Sequence, residues 1–243
     1  MSKLISICIP CFNEEKSLLE LGERLKKLNY LIIKKYYGEI KLEVILINNG
    51  SEDYSSKIIE KLENENKFIR SVNILKNRGY GFGIKAGLRV ANGDYVGWTH
   101  ADLQTDVIDI QKAIHILKTS KYSQKIYIKG SRKGRPLFDN AFTFAMSIIE
   151  SILFRVIIFD INAQPNILPR SFLNDLEYSP NDFSFDLYFY IKAIRSSLTV
   201  KRFIVNFPPR KYGISSWNKN FFSKIKFIKR TLSYSIKLLK SGI

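Results

Sequence analysis

The chain has 243 residues, 45% of them hydrophobic and 25% charged, which excludes a disordered chain and fits one domain, or one domain with an appendage. The net charge of +17 is lopsided: residues 1–120 hold 18 basic and 15 acidic side chains, residues 121–243 hold 21 and 7. The second half therefore faces something anionic or tolerates strong self-repulsion, and with no nucleic-acid motif beside the charge, RNA is not the expected partner.

Residues 4–10 form a short apolar run stopped by Pro10 and read as a buried strand. The run holds Cys8 and leads to Cys11, the two cysteines of the chain, set among Ile7, Ile9 and Phe12. Buried, inert thiols are expected there, since a lone C-x-x-C is a weak redox or metal signal. No signal-peptide layout precedes the strand, which gives a cytoplasmic expectation. Residues 15–28 carry Leu18, Leu21, Leu25 and Leu28 at helical spacing. A second strand is expected over 42–47, a helix over 54–65, a strand over 71–75, a helix over 83–92 and a strand over 94–99. A further strand, Tyr127-Ile128-Lys129, leads to Gly130-Ser131-Arg132. The apolar stretch 141–159 contains Glu150 and Arg155, so it reads as a buried or membrane-surface helix rather than a span. Beyond residue 130 the alternation blurs.

Strands alternating with helices imply an α/β fold with a mostly parallel central sheet flanked by helices. In such sheets ligands bind outside the carboxyl ends of the strands. Those ends carry Asn13-Glu14, Asn48-Asn49-Gly50-Ser51, Asn77-Arg78-Gly79 and His100-Ala101-Asp102. Four polar turns on one sheet edge make one site.

These motifs resemble glycosyltransferase family 2, with the GT-A nucleotide-diphospho-sugar transferase fold. Ile9-Pro10-Cys11-Phe12-Asn13-Glu14-Glu15 looks like the family's P-x-[FY]-N-E turn, and Asn48-Asn49-Gly50-Ser51-Glu52-Asp53 sits where it shows D-D-G-S-x-D. His100-Ala101-Asp102-Leu103-Gln104 sits where the polyprenyl-phosphate sugar-transferase branch shows D-A-D-L-Q, and Gly130-Ser131-Arg132 matches that branch's G-S-R. Arg210-Lys211-Tyr212-Gly213-Ile214-Ser215 looks like the R-x-x-G-x-S element that closes over the diphosphate. The resemblance covers about residues 3–215.

The resemblance implies a nucleoside-diphosphate sugar donor contacted by Pro10, Asn13, Glu14, Asn48, Gly79, His100, Ala101, Asp102, Arg210 and Ser215. It implies Mg²⁺ or Mn²⁺, with Asp102 and the Gln104 amide oxygen as hard ligands. His100 departs from the family's acid; it either ligates Mn²⁺ as a third ligand or contacts the nucleotide. Asn48 and Asn49 are a second departure, keeping hydrogen bonds but no charge. The Gly79-Tyr80-Gly81-Phe82-Gly83 glycines are expected to admit the donor, with Lys85 close enough to meet a phosphate. Ser131, Arg132 and Arg135 are expected to meet the phosphate of the acceptor, since guanidinium forks suit phosphate. Asp160-Ile161-Asn162-Ala163-Gln164-Pro165 and Leu168-Pro169-Arg170 resemble a segment bordering the acceptor pocket. Asp102 and Asp186 are the expected catalytic residues, Asp186 as general base if the acceptor is a hydroxyl.

Residues 218–240 are amphipathic, with Phe221, Ile225, Ile228, Leu232, Ile236 and Leu239 flanked by lysines. They read as a basic helix on an anionic membrane surface, or as a helix packed on the domain or on another subunit. The expected organisation is a GT-A domain over 1–217 and this helix over 218–243. The expected activity is an inverting transfer from a nucleoside-diphosphate sugar to a polyprenyl-phosphate-type acceptor, peripheral to the cytoplasmic membrane face. The alternatives are a sugar-hydroxyl acceptor on a lipid-linked glycan, and a non-catalytic sugar-nucleotide binder.

Overall fold

A computed structural model describes residues 2–212 and 221–240. Its core is a seven-stranded sheet in the order β3-β2-β1-β4-β6-β5-β7. The strands are β1 (Lys3–Cys11), β2 (Ile40–Asn49), β3 (Ile69–Ile74), β4 (Tyr95–Trp98), β5 (Ile126–Lys133), β6 (Asn166–Pro169) and β7 (Thr199–Asn206). The pairings β1–β2, β2–β3, β1–β4 and β5–β7 are parallel, while β6 runs antiparallel to both β4 and β5. The expected mostly parallel sheet is therefore present, with one reversed strand inside it.

Both faces of the sheet are buried, which is why β1 and β2 are apolar almost throughout. On one face pack α1 (Glu15–Tyr36), α2 (Ser55–Glu65) and α4 (Ile110–Thr119), meeting Ile5, Ile7 and Ile9 of β1. On the other lie α3 (Tyr80–Val90) and α6 (Phe185–Arg195), meeting Cys8, Ile45, Ile47 and Trp98. Helix α1 runs past the expected end at residue 28 because Ile32 and Tyr36 continue its buried stripe; it stops at Tyr37 in the left-handed region. Burial pushes the Cys8 and Cys11 thiols far up, so the free cysteines are inert at neutral pH.

Helix α5 (Leu137–Phe154) is the apolar segment read as 141–159; it ends at Arg155, whose φ of 55° takes the chain out of the helix. Among the described residues no helix is long and apolar enough to cross a membrane. Helix α7 (Phe221–Lys240) packs on α5, burying Thr231, Ser235 and Leu238 and leaving Ile236 exposed. The packed alternative thus describes at least this side of the helix. The side chains of Phe221 and Ile225 are not among those described, and the expected boundary at 217/218 lies outside the described residues.

Two local features of this packing carry measurable consequences. Gly130 of β5 donates its N–H to Pro165 O at 3.0 Å, and a Cβ there would lie 2.0 Å from the carbonyl oxygen of Gln164. Backbone cannot yield that far, so Gly130→Ala should destabilise by ~1–3 kcal/mol, read as a lower unfolding midpoint in urea. At the α5–α7 contact Glu150 is fully buried, accepts from Ser235 Oγ at 2.9 Å and has no partner for Oε2. Burial pushes its carboxyl up to about 7. The folded state therefore favours the protonated acid. Its contribution is complete below the unfolded value of about 4.3 and is lost as pH rises through about 7. Glu150→Gln keeps the shape without the titration. Wild type should lose several degrees of melting temperature relative to that variant between about pH 5 and pH 8.

Candidate active site

The carboxyl ends of β1, β2 and β4 converge as expected, and their turns are stitched together. Asn13, at φ 55°, donates its N–H to Ser51 Oγ at 3.1 Å and accepts from the Glu52 N–H at 2.9 Å. Glu14 N–H donates to Ser55 Oγ, and Asp53 accepts from the N–H groups of Glu15 and Ser55. Burial, assisted by the nearby Asp102 charge, pushes the Glu14 carboxyl above its usual range.

Past β4, the segment His100–Gln104 makes the centre of the site. Leu103 sits at φ 59° with its side chain buried beside Ala101 in the core. A non-glycine residue there costs on the order of 1–2 kcal/mol, and the packing holds it. The result is that Asp102 and Gln104 present oxygens to one point. Arg210 occupies that point: its Nη2 donates to Asp102 Oδ2 at 2.7 Å and its Nε to Gln104 Oε1 at 3.2 Å. Asp102 is 4% exposed, so this is a largely buried ion pair. Two hard oxygens converging on a cation's place suit Mg²⁺ or Mn²⁺. The third expected ligand, His100, has its ring tilted against Tyr80 at 5.3 Å between centroids, and Tyr80 stacks on Phe183 at 4.9 Å. No group of three His, Cys, Asp or Glu side chains able to hold a metal occurs among the described residues. Burial pushes the His100 imidazole down, so it is neutral at pH 7.

The acceptor-side residues also come together. Ser131, Arg132 and Arg135 line a pocket of about 170 Å³ with Asn140, Thr143, Phe144, Ser147, Phe159 and Asp160. Asp160 takes the Arg132 backbone N–H at 2.8 Å and its Nε at 2.8 Å. Arg135 donates to Thr143 Oγ1 at 2.6 Å. Burial, then the neighbouring Arg132, pulls the Arg135 guanidinium down to about 10, so it stays charged at pH 7. Two guanidiniums against one carboxylate leave the pocket cationic. Arg132 is near enough for its charge to act on His100.

Several expected residues do other work. Asn48 is turned into the protein: Oδ1 accepts from the Ser51 N–H at 3.1 Å and Nδ2 donates to Asn73 Oδ1 at 2.7 Å. The glycines of the α3 start admit protein rather than a donor. A Cβ on Gly79 would lie 2.4 Å from Asn181 O, and one on Gly81 would lie 2.3 Å from Pro180 O. Gly79 also needs its φ of 103°, and α3 starts there rather than at residue 83 because Phe82 N–H bonds Asn181 O. Lys85 is buried and donates to Ser179 O at 2.8 Å, so it does not reach for a phosphate. Ala101 packs in the core at 3% exposure, which leaves only its backbone for a ligand. Pro10 lies beside Asn49 and Gly83 under the donor turns. Ser215 lies outside the described residues.

Asp186 is corrected most. It is 1% exposed, and Trp98 Nε1 donates to its Oδ1 at 2.7 Å, with Gln164 Nε2 donating at 3.1 Å. Tyr80 OH donates to Oδ2 at 3.4 Å. The Asp186 carboxylate is thus held inside the protein by three donors. The network continues to Asn166, which receives Tyr127 OH at 2.7 Å and the Lys129 ammonium. Burial pulls Lys129 down to about 7. Sequence reasoning gave no role to Tyr80, Trp98, Lys129 or Asn166, although Tyr80, like Gln164, lay in a quoted motif and Lys129 in a quoted strand.

A model of "Glycosyl transferase family 2" matches residues 6–158. The chain belongs to this family. Among curated family-2 proteins it is 34% identical over 111 residues to an undecaprenyl-phosphate 4-deoxy-4-formamido-L-arabinose transferase of Proteus mirabilis, covering 45% of this chain and 32% of that protein. It is 28% identical over 136 residues to a poly-beta-1,6-N-acetyl-D-glucosamine synthase of Staphylococcus aureus, covering 56% of this chain and 29% of that one. The chain thus matches about a third of the length of these relatives. Two solved structures share its fold. Glucosyl-3-phosphoglycerate synthase from Mycobacterium tuberculosis, solved with Mn²⁺ and UDP, gives a TM-score of 0.69 at 14% identity, covering 99% of this chain and 81% of that one. A mannosyltransferase from Pyrobaculum calidifontis, solved with GDP-Man and Mn²⁺, gives 0.69 at 16%, covering 98% and 65%. The expected GT-A fold is therefore the fold observed.

Proposed function

We propose that this family-2 chain is an inverting glycosyltransferase that moves a sugar from a nucleoside-diphosphate sugar to a polyprenyl-phosphate-type acceptor at the cytoplasmic membrane face. The observation that carries the reading is the pairing, on one sheet edge, of a cation-holding cluster with a cationic pocket suited to an anion. One is the Asp102–Gln104–Arg210 cluster, and the other is the Arg132–Arg135 pocket. A phosphate acceptor is already an anionic nucleophile and needs no base. Its oxygen forms the new bond to the anomeric carbon as the carbon–oxygen bond to the diphosphate breaks, and the leaving nucleoside diphosphate keeps the electron pair. Asp102 and Gln104 would hold Mg²⁺ or Mn²⁺, which when bound neutralises charge on the leaving diphosphate. Arg210 holds those oxygens until the donor arrives and then has a diphosphate to bind. Arg132 and Arg135 orient the acceptor phosphate, and the neutral His100–Tyr80–Phe183 stack walls the space between.

The enclosure of Asp186 by its donors favours the phosphate acceptor over the hydroxyl-acceptor alternative, in which Asp186 would be the base. The non-catalytic binder remains prompted by His100, Asn48 and Asn49. Melting curves with UDP-, GDP- and CDP-sugars, with and without Mn²⁺, test the donor site. A saturating donor at about 100 times Kd should add ~2.7 kcal/mol, roughly 5–10 °C. Sugar transfer to a polyprenyl phosphate then separates enzyme from binder. No shift with any nucleotide would overturn the reading.

A further inference from the structure

Among the described residues, the outward face of α5 gathers an unusual run of exposed apolar side chains. Leu137 is 88% exposed, Phe144 60%, Ile148 44%, Ile149 42% and Ile152 73%. Ala141 and Ala145, also exposed, fall between them. At 100° per residue these positions form one continuous stripe, and it carries no charge. The opposite side of the helix, with Met146, Ser147, Glu150 and Phe154, is the side buried on the domain. Just past the helix, Ile157 and Phe159 extend the apolar surface at 78% and 52% exposure. A contiguous patch of this kind marks an interaction site rather than ordinary surface scatter.

We infer that this face lies in the headgroup–acyl boundary of an anionic lipid bilayer, with α5 rather than α7 as the principal contact. The inference deepens the lipid-acceptor reading of the neighbouring pocket and rests on it for its biological sense. Two observations choose a bilayer. The first is charge. Exposed Lys133 and Arg155 bracket the helix, and exposed Lys237 and Lys240 stand on α7 packed against it. Of the acids nearby, Glu150 is buried on the inner side, Asp160 is held by Arg132, and half-buried Asp139 in the first turn of α5 lies on the side away from the stripe. No acidic residue follows Asp186 anywhere in the chain. An uncharged apolar stripe between basic flanks is the pattern of an interfacial helix on anionic lipid. The second is continuity with the pocket. Phe144 and Phe159 belong both to the exposed surface and to the wall of the Arg132–Arg135 pocket. A lipid phosphate held by the two guanidiniums has its hydrocarbon chain leaving over these rings, directly into the layer that α5 occupies. Of the described side chains of α7, Thr231, Ser235 and Leu238 are buried on the domain, and Ile236 is the large apolar one that stands exposed.

The test is flotation of the full chain with vesicles of phosphatidylcholine, with and without phosphatidylglycerol. Wild type should float with the anionic vesicles and not with the neutral ones. The double variant Ile148→Asp/Ile152→Asp should bind the anionic vesicles at least about tenfold more weakly. A control, Ile33→Asp on exposed α1, should bind like wild type. Melting with the donor nucleotide checks the fold: the double variant should show the same donor-induced shift as wild type. Undiminished flotation of a folded double variant overturns the inference. So does a wild-type dimer in sedimentation that the double variant dissolves, which assigns the face to a second copy. If no UDP-, GDP- or CDP-sugar shifts any melting curve but the flotation contrast persists, the glycosyltransferase reading fails and the bilayer surface stands.

Discussion

Asp102→Asn should lower sugar transfer by about 10²–10³-fold, the cost of removing one preorganised charge from a buried transition-state site. The Asp102 carboxylate is 4% exposed and holds Arg210 at 2.7 Å. The amide keeps the size and one oxygen but removes the charge that any cation at this point requires. It also leaves the Arg210 guanidinium without its counter-ion in a largely dry place. The fall should appear in kcat/KM, with the melting temperature of the unliganded chain changed far less than by a core substitution. Transfer within about threefold of wild type would remove Asp102 from the reaction. Arg210→Lys separates charge from shape: a point charge cannot bridge Asp102 Oδ2 and Gln104 Oε1 as a planar fork does, so transfer should fall between the two.

Asp186→Ala should destabilise the fold by ~3 kcal/mol, because it strands Trp98 Nε1 and the Gln164 amide in a buried place. For a chain of this size that is a drop of roughly 6–12 °C in melting temperature. The sharper comparison is Asp186→Asn. If Asp186 is a structural acceptor, activity per folded molecule survives and the acid limb of the pH–rate profile does not move. Loss of that limb in a fully folded variant would restore the base role.

The first half of the sheet was legible because each strand is a short apolar run followed by a polar turn. Parallel pairing then places all such turns on one edge. That logic found Asn13, Glu14, Asp102 and the Ser131-Arg132 loop without any contact information. It failed where a residue's partner lies far along the chain. Gly79 and Gly81 look like donor-admitting glycines in sequence; their purpose is visible only once residues 180–182 are laid against them. Lys85 looks available for a phosphate until Ser179 O is found 2.8 Å away. Asp186 carries the same ambiguity: its partners Trp98 and Gln164 stand 88 and 22 residues away. Strand β6 was hidden because four residues ending in proline carry too little periodicity to announce a strand, least of all a reversed one.

That reversal shapes what the family-2 scaffold can vary here. A parallel strand must leave the ligand edge and return through a crossover on the far side before the chain serves that edge again. β5 exits at the edge, and the antiparallel β6 enters from it, so everything between Lys133 and Asn166 is a single outward excursion with both feet at the Arg132–Arg135 pocket. Arg135 stands near one foot, and Phe159 and Asp160 near the other. Helix α5 is thus a hairpin-like insert whose length and outer face can change without disturbing any sheet crossover. The Arg132–Arg135 pocket and the exposed face of α5 belong to one chain excursion, separate from the turns on β1, β2 and β4.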